Sequence, residues 1–276
     1  MSKMASRTSQ TVMHTLSDGG KIPWIAFGTG SALFMQDANR AVKQAIECGV
    51  THFDGAQAYN NEESLLGQHS VHGGPSVSET LKESLRKLGT DYVDLFLIHS
   101  PGVYKKEATL PDVWREMEEA KTQGLTKSIG VSNFGIAELQ TVLQGAIMVP
   151  AVNQIELHPY VWQTVRPLVE FCQSKGITVA SYGGLYPAMT SGPLEPLLAD
   201  IAERLGAQRG TAVTPSQVLM KWMYQKAIVV VTTSSKACRI RAYLDTLAVP
   251  DLSMEDMTRI EEVGSSVVKR KYNYQH

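Results

Sequence analysis

Asp54 and Tyr59 are the residues whose types and spacing invite chemistry. They lie in Thr51-His-Phe-Asp-Gly-Ala-Gln-Ala-Tyr-Asn-Asn-Glu-Glu-Ser-Leu-Leu-Gly67. A short apolar strand delivers Asp54 at its end, the small-residue loop Gly55–Ala58 follows, and Tyr59 stands just before a helix that starts near Asn60 or Asn61. A carboxylate at a strand's C-terminal edge with a phenol five residues later suits proton transfer at the open end of a parallel sheet. An ordinary strand–turn–helix has the same letters, so the surrounding elements decide what the pair means.

Those elements alternate. Val12–Ile22 reads as a hairpin around Ser17-Asp18-Gly19-Gly20, a turn tolerant of positive φ. Pro23–Gly30 is a mostly apolar strand, and the spacing of Ala38, Val42, Ala45 and Ile46 predicts a helix over Met35–Cys48 stopped by Gly49. Beyond the Asp54 strand, buried strands are predicted over Val93–His99, Thr126–Val131, Pro150–Ile155, Ile177–Ser181 and Ala227–Val231. Helices are predicted over Ser76–Leu88, Pro111–Gln123, Ile136–Leu143, Val165–Lys175, Pro193–Leu205, Pro215–Tyr224, Ser235–Leu244 and Ser253–Val263. Strands that are apolar throughout, each followed by a helix, indicate a parallel sheet covered by helices.

No Gly-x-Gly-x-x-Gly opens a helix after the first strand, as a doubly wound dinucleotide-binding sheet would require, and no Pro-, Gly- or Ser-rich linker divides the chain. The expectation is one (β/α)8 TIM-type barrel over residues 1–276, preceded by its N-terminal hairpin. The count of strands exposes a peculiarity. Between Gly67 and the Ser76 helix lies only Gln68-His-Ser-Val-His-Gly-Gly-Pro75, which at roughly 3.3 Å per residue just spans the barrel, so the third strand is expected to be stunted, around His69–His72.

Composition narrows the function. A net charge of −1, with 19% charged residues, argues for no nucleic-acid or membrane partner. Cys48, Cys172 and Cys238 are widely spaced and form no CxxC, which fits a reducing compartment without disulfides or a metal site. The polar Met1–Gln10 has no apolar core, and the expected location is the cytoplasm. No oligomer is indicated.

With the elements in place, the chain resembles the aldo-keto reductase family. The resemblance runs from about Val12 to Val263 and is carried by Phe53–Glu62, Asp91-Tyr-Val-Asp-Leu-Phe-Leu-Ile-His-Ser-Pro101, Ile129-Gly-Val-Ser-Asn-Phe134, Asn153-Gln-Ile-Glu-Leu-His-Pro159 and Ala180-Ser-Tyr182. It implies reduction of a small-molecule aldehyde or ketone by NADPH through an Asp–Tyr–Lys–His set. On this pattern Asp54, Tyr59 and His99 take the roles of Asp, Tyr and His. Ser132, Asn133 and Gln154 take the positions that hold the nicotinamide carboxamide, and Tyr182 that of the aromatic stacked on its ring. Val231-Thr-Thr-Ser-Ser-Lys-Ala-Cys-Arg239 resembles the segment for the adenosine 2′-phosphate, with Ser234, Arg239 and Lys236 as candidates at a helix N-terminus.

The family's Lys sits at the end of the third strand, and here no Lys lies between Lys43 and Lys82. His72 is the nearest ionisable candidate to take its place. A phenol near pKa 10 is a poor acid at neutral pH until a cation stabilises its phenolate. Two functions therefore stand: a reductase working without its Lys, or a non-redox lyase, isomerase, cyclase or binding protein built on the same residues. An inactive, shortened barrel with exposed edges is a third outcome. Trp24 is expected to contact substrate, with Phe34, Tyr104, Trp162 and Tyr186 as further apolar lining. Gly183–Pro196 is a candidate lid, and the basic, aromatic tail Lys269–His276 a candidate wall of the mouth.

Overall fold

The protein is described by a computed structural model, which covers residues 12–31, 33–59, 61, 69–71, 76–102 and 109–272. Strands β1 (Met13–Thr15) and β2 (Lys21–Pro23) form the expected antiparallel hairpin, with Met13 opposite Pro23. Its turn closes through the Leu16 amide, which donates to the Gly20 carbonyl at 2.8 Å, and Gly19 there adopts φ +84°, where a side chain would be strained. Leu16 and Ile22 are buried against Ala26, Leu95, Leu97, Val152 and Val229, so the hairpin plugs one end of the sheet.

Eight parallel strands follow among the described residues: β3 (Ile25–Gly28), β4 (Phe53–Asp54), β5 (His69–Val71), β6 (Val93–Ile98), β7 (Thr126–Ser132), β8 (Val152–Glu156), β9 (Thr178–Tyr182) and β10 (Val229–Thr232). Their order is β4-β3-β10-β9-β8-β7-β6-β5, so the last strand pairs with the first, Val231 opposite Ala26, and the sheet curls into the (β/α)8 barrel. The contracted segment does form a strand: β5 is three residues long and pairs with β6, His69 opposite Phe96 and Val71 opposite Ile98. Among the described residues β4 and β5 share no ladder, so the seam of the barrel falls at the shortened strand. His72 lies outside the described residues.

Nine helices cover the strands among the described residues: α1 (Asn39–Cys48), α2 (Val77–Leu88), α3 (Leu110–Thr122), α4 (Ile136–Leu143), α5 (Trp162–Ser174), α6 (Leu194–Arg209), α7 (Pro215–Gln225), α8 (Ala237–Leu244) and α9 (Met254–Ser265). None is long and apolar enough to cross a membrane. Local chemistry sets their starts. Thr109 with Asp112, Thr214 with Gln217 and Ser253 with Asp256 form reciprocal capping boxes, and Ser76 accepts the Glu79 amide. α1 begins four residues later than its periodicity predicts, because Met35 takes φ +55° and the Asp37 carboxylate accepts the Asn39 amide at 2.9 Å. The main core lies between sheet and helices, with Trp114, Met117, Phe96, Ile129 and Leu139 fully buried.

Inside the barrel, Gly130 of β7 leaves no room for a side chain: an added Cβ would lie 2.5 Å from the Val152 carbonyl and 2.8 Å from Leu97 Cδ2. Neither neighbour can withdraw, since one is backbone and the other is packed in the interior. Gly130→Ala is expected to lower stability by about 1–3 kcal/mol, read as a drop in urea midpoint at unchanged slope.

Candidate active site

A cavity of about 770 Å³ opens where the barrel strands end. Asp54 closes β4, His99 follows β6, Ser132 closes β7 with Asn133 after it, Gln154 lies in β8 and Tyr182 closes β9; all six line the cavity together with Tyr59. Parallel strands all point the same way, so residues far apart in sequence meet at one rim.

Asp54 is buried, and its Oδ1 accepts a hydrogen bond from Gln154 Nε2 at 3.1 Å. Burial pushes its carboxyl up to about 7, although the Gln154 hydrogen bond works the other way. The only side chains with permanent positive charge among the described lining residues are Arg239 and Lys271.

Tyr59 sits in a short 3₁₀ turn over Gln57–Tyr59 that several ties hold down. Its carbonyl accepts the Met35 amide, and Gln57 Nε2 donates to the Thr80 carbonyl and to Ser84 Oγ, fastening the turn to α2. Buried Asn61 donates to the Leu33 carbonyl at 2.9 Å from the other side. The phenol ring meets His99 edge to face at 5.8 Å and Phe34 at 6.2 Å. It also lies across Gly30, where any Cβ would come within 2.7 Å of the Tyr59 hydroxyl.

One polar chain fixes the opposite wall. Ser132 Oγ donates to the Gln154 carbonyl at 2.8 Å, Asn133 Nδ2 to the His99 carbonyl at 2.9 Å, and Tyr182 OH to Asn133 Oδ1 at 2.6 Å. Asn133 achieves this with φ +61°, a conformation Asn tolerates better than most residues. Ser234 and Arg239 also line the cavity, the latter exposed and without a carboxylate partner among the described residues. Lys236 is not part of the lining; its amide donates to Ser234 Oγ at 3.1 Å and so orients that hydroxyl.

Trp24 requires a correction. It lies at the start of β3, at the end of the barrel away from the cavity, 3% exposed, with its indole N–H donated to the Ile228 carbonyl and its ring against Tyr224. It packs the core and does not contact the pocket. Trp162 is also buried elsewhere, its indole N–H on Glu261, whereas Phe34 and Tyr186 do line the cavity. His72 and Tyr104 lie outside the described residues. Gly183, Gly184, Leu185, Tyr186 and Met189 of the expected lid form one wall, and Lys271 and Tyr272 of the tail join it. The roles of Gly30 and Asn61 were not legible in the sequence, since neither a strand-end Gly nor a helix-start Asn announces a close approach or a loop anchor.

Comparison with known proteins decides the family. The sequence model of the aldo/keto reductase family matches residues 68–265. The chain belongs to the aldo/keto reductase family. Among its relatives is an NAD/NADP-dependent indole-3-acetaldehyde reductase of Schizosaccharomyces pombe, 38% identical over 272 residues, covering 90% of this chain and 92% of that protein. Another is an NADPH-dependent alpha-keto amide reductase of Saccharomyces cerevisiae, 31% identical, covering 91% of this chain and 90% of that one. The crystal structure of an aldo/keto reductase from Brucella melitensis superimposes with a TM-score of 0.78 at 27% identity, covering 92% of this chain and 99% of the other. This aldo/keto reductase is accordingly an oxidoreductase that works with a nicotinamide cofactor.

Burial of Asp54 makes the stability of the protein depend on pH. The folded carboxyl holds its proton more tightly than the unfolded one, so its contribution to stability is complete below 3.8 and is lost as pH rises through about 7. Relative to Asp54→Asn, the native protein is expected to lose on the order of 3–4 kcal/mol between about pH 4 and about pH 8. Urea unfolding of both proteins across that range measures the difference.

Proposed function

We propose that the protein reduces an aldehyde or ketone to the alcohol with NADPH, with Tyr59 as the proton donor to the carbonyl oxygen. The observation that carries this reading is the meeting of Tyr59, His99 and Asp54 in one cavity that Ser234 and Arg239 also line. Tyr59 and His99, packed edge to face, present two donors to one carbonyl oxygen, and charge developing there is stabilised most where water is excluded.

The cavity suits the cofactor by the chemistry of its lining. Ser132, Asn133 and Gln154 supply hydroxyl and amide groups for a carboxamide, Tyr182 a flat face for a ring, and Ser234 with Arg239 a hydroxyl and a guanidinium for a phosphate. Bound NADPH supplies the hydride. His99 orients the carbonyl, and Tyr59 delivers the proton. Asp54, poised near 7 and with no ammonium beside it among the described residues, tunes the phenol less strongly than an Asp–Lys pair would, and protonated His72 is the candidate for that charge. The substrate is a small carbonyl compound with an apolar body, since Phe34, Leu185, Tyr186 and Met189 border the site. The three free thiols suit a cytoplasmic setting.

The test is a panel of aromatic and aliphatic aldehydes with NADPH, followed by absorbance at the nicotinamide band. The expected result is turnover that falls at least ~100-fold in Tyr59→Phe, and falls further with His72→Ala than with substitution of a distant surface His. Steady absorbance, with NADPH binding still seen by protein fluorescence, would replace this reading with the non-redox one.

A further inference from the structure

The motif Asn153-Gln-Ile-Glu-Leu-His158 contributes Gln154 to the cavity, yet its most deeply buried charge faces elsewhere. Glu156, the last residue of β8, has a fully buried side chain. Its Oε1 accepts the Lys271 amide at 2.6 Å, both its oxygens lie 3.3 Å from the Tyr272 amide, and Arg270 Nη1 stands 3.8 Å from Oε2. His158 Nε2 sits 3.1 Å from Oε1, with the imidazole fully buried beneath. Burial pushes the Glu156 carboxyl up, but the hydrogen bonds from His158 and the Lys271 amide outweigh it and hold the group below the usual carboxylate range. Burial holds His158 below its ordinary value against the pull of Glu156, so the imidazole is neutral at pH 7 and donates from Nε2. A buried carboxylate is stable only where donors surround it, and here two of those donors belong to the C-terminal tail.

The tail continues from that anchor into the cavity wall. The Tyr272 ring meets Tyr182 edge to face at 5.3 Å and lies over Gly183, where a Cβ would be 3.3 Å from Tyr272 Cε2. Tyr182 in turn donates to Asn133, which is bonded to the His99 carbonyl. Lys269 fastens the preceding turn to Thr190 at 2.8 Å and to the Ser191 carbonyl.

We infer that Glu156 is a positioning residue: its carboxylate clamps Arg270–Tyr272 against the barrel, and through Tyr272 it holds Tyr182 in place for the cofactor. The inference rests on the reductase reading, because Tyr182 serves here as the platform for a nicotinamide. Glu156 touches neither cofactor nor substrate and acts only through the tail.

The full-length chain tests this from both sides. Glu156→Gln breaks the clamp in the barrel; Lys271→Pro removes the tail's 2.6 Å amide donor, with Lys271→Ala, which keeps the amide, as its reference. Each break is expected to weaken NADPH binding, read by quenching of protein fluorescence, by about tenfold, the scale of one lost charge-assisted hydrogen bond. Each should also speed hydrogen exchange at the Tyr272 amide, and the double variant should be no worse than either single one. Unchanged or tighter NADPH binding, or additive losses, would overturn the inference. Should Glu156→Gln fail to fold, Lys271→Pro against Lys271→Ala decides alone. If the native protein itself binds no NADPH, the reductase reading falls and this inference with it; native binding that both variants leave intact removes this inference only.

Discussion

The hydrogen bond from Gln154 to Asp54 holds the two halves of the site in relation to each other. β4 and β8 are four places apart in a ring of eight strands, so this 3.1 Å contact crosses the barrel mouth. The backbone carbonyl of the same Gln154 accepts Ser132 Oγ and the Asn133 amide, and Asn133 passes the constraint to His99 and Tyr182. One side chain thus fixes the acid, and the same residue's backbone organises the polar wall facing it. Its weakness is electrostatic. An amide donor stabilises a buried carboxylate less than an ammonium would, so Asp54 titrates near neutrality.

Tyr59 depends on a different constraint, close approach. The phenol lies over Gly30 at a separation no side chain would permit, and its turn is tied to α2 through Gln57 and to the β3 loop through Asn61. These contacts fix the hydroxyl beside His99 although the neighbouring third strand is only three residues long. The shortening therefore leaves the scaffold of the phenol in place. The barrel still closes from β10 to β3, and no Lys lies between Lys43 and Lys82 to place an ammonium on the third strand.

The outer wall is built from the least regular parts of the chain. The segment after β9 and the C-terminal tail are laced together by Lys269, Tyr272 and the buried Glu156. Loops at the open end of such a barrel can vary freely only if the frame beneath is rigid, and the hairpin plug at the closed end supplies part of that rigidity by burying Leu16 and Ile22 among the interior side chains.

Much of this was legible in the letters. Apolar runs and capping residues located the strands and helices to within a few residues, because those signals are local: Thr109, Thr214 and Ser253 cap helices whatever the rest of the chain does. Asp54 and Tyr59 could be named from a carboxylate at a strand end with a phenol five residues on, and His99 from the resemblance carried by Asp91–Pro101. Trp24 could not be placed, since an aromatic beside a strand reads the same at either end, and only barrel closure sets it beside the Ile228 carbonyl, away from the mouth. The tail's place at the mouth was legible in its basic, aromatic letters, but its anchor was not. Nothing in Lys269-Arg-Lys-Tyr272 specifies an anchor 115 residues away; its amides find Glu156 only once β8 has buried that carboxylate with donors still lacking. Residue type and local propensity were thus written in the sequence, while the pairings that hold the site were decided by which distant strand ends the closed barrel brings together.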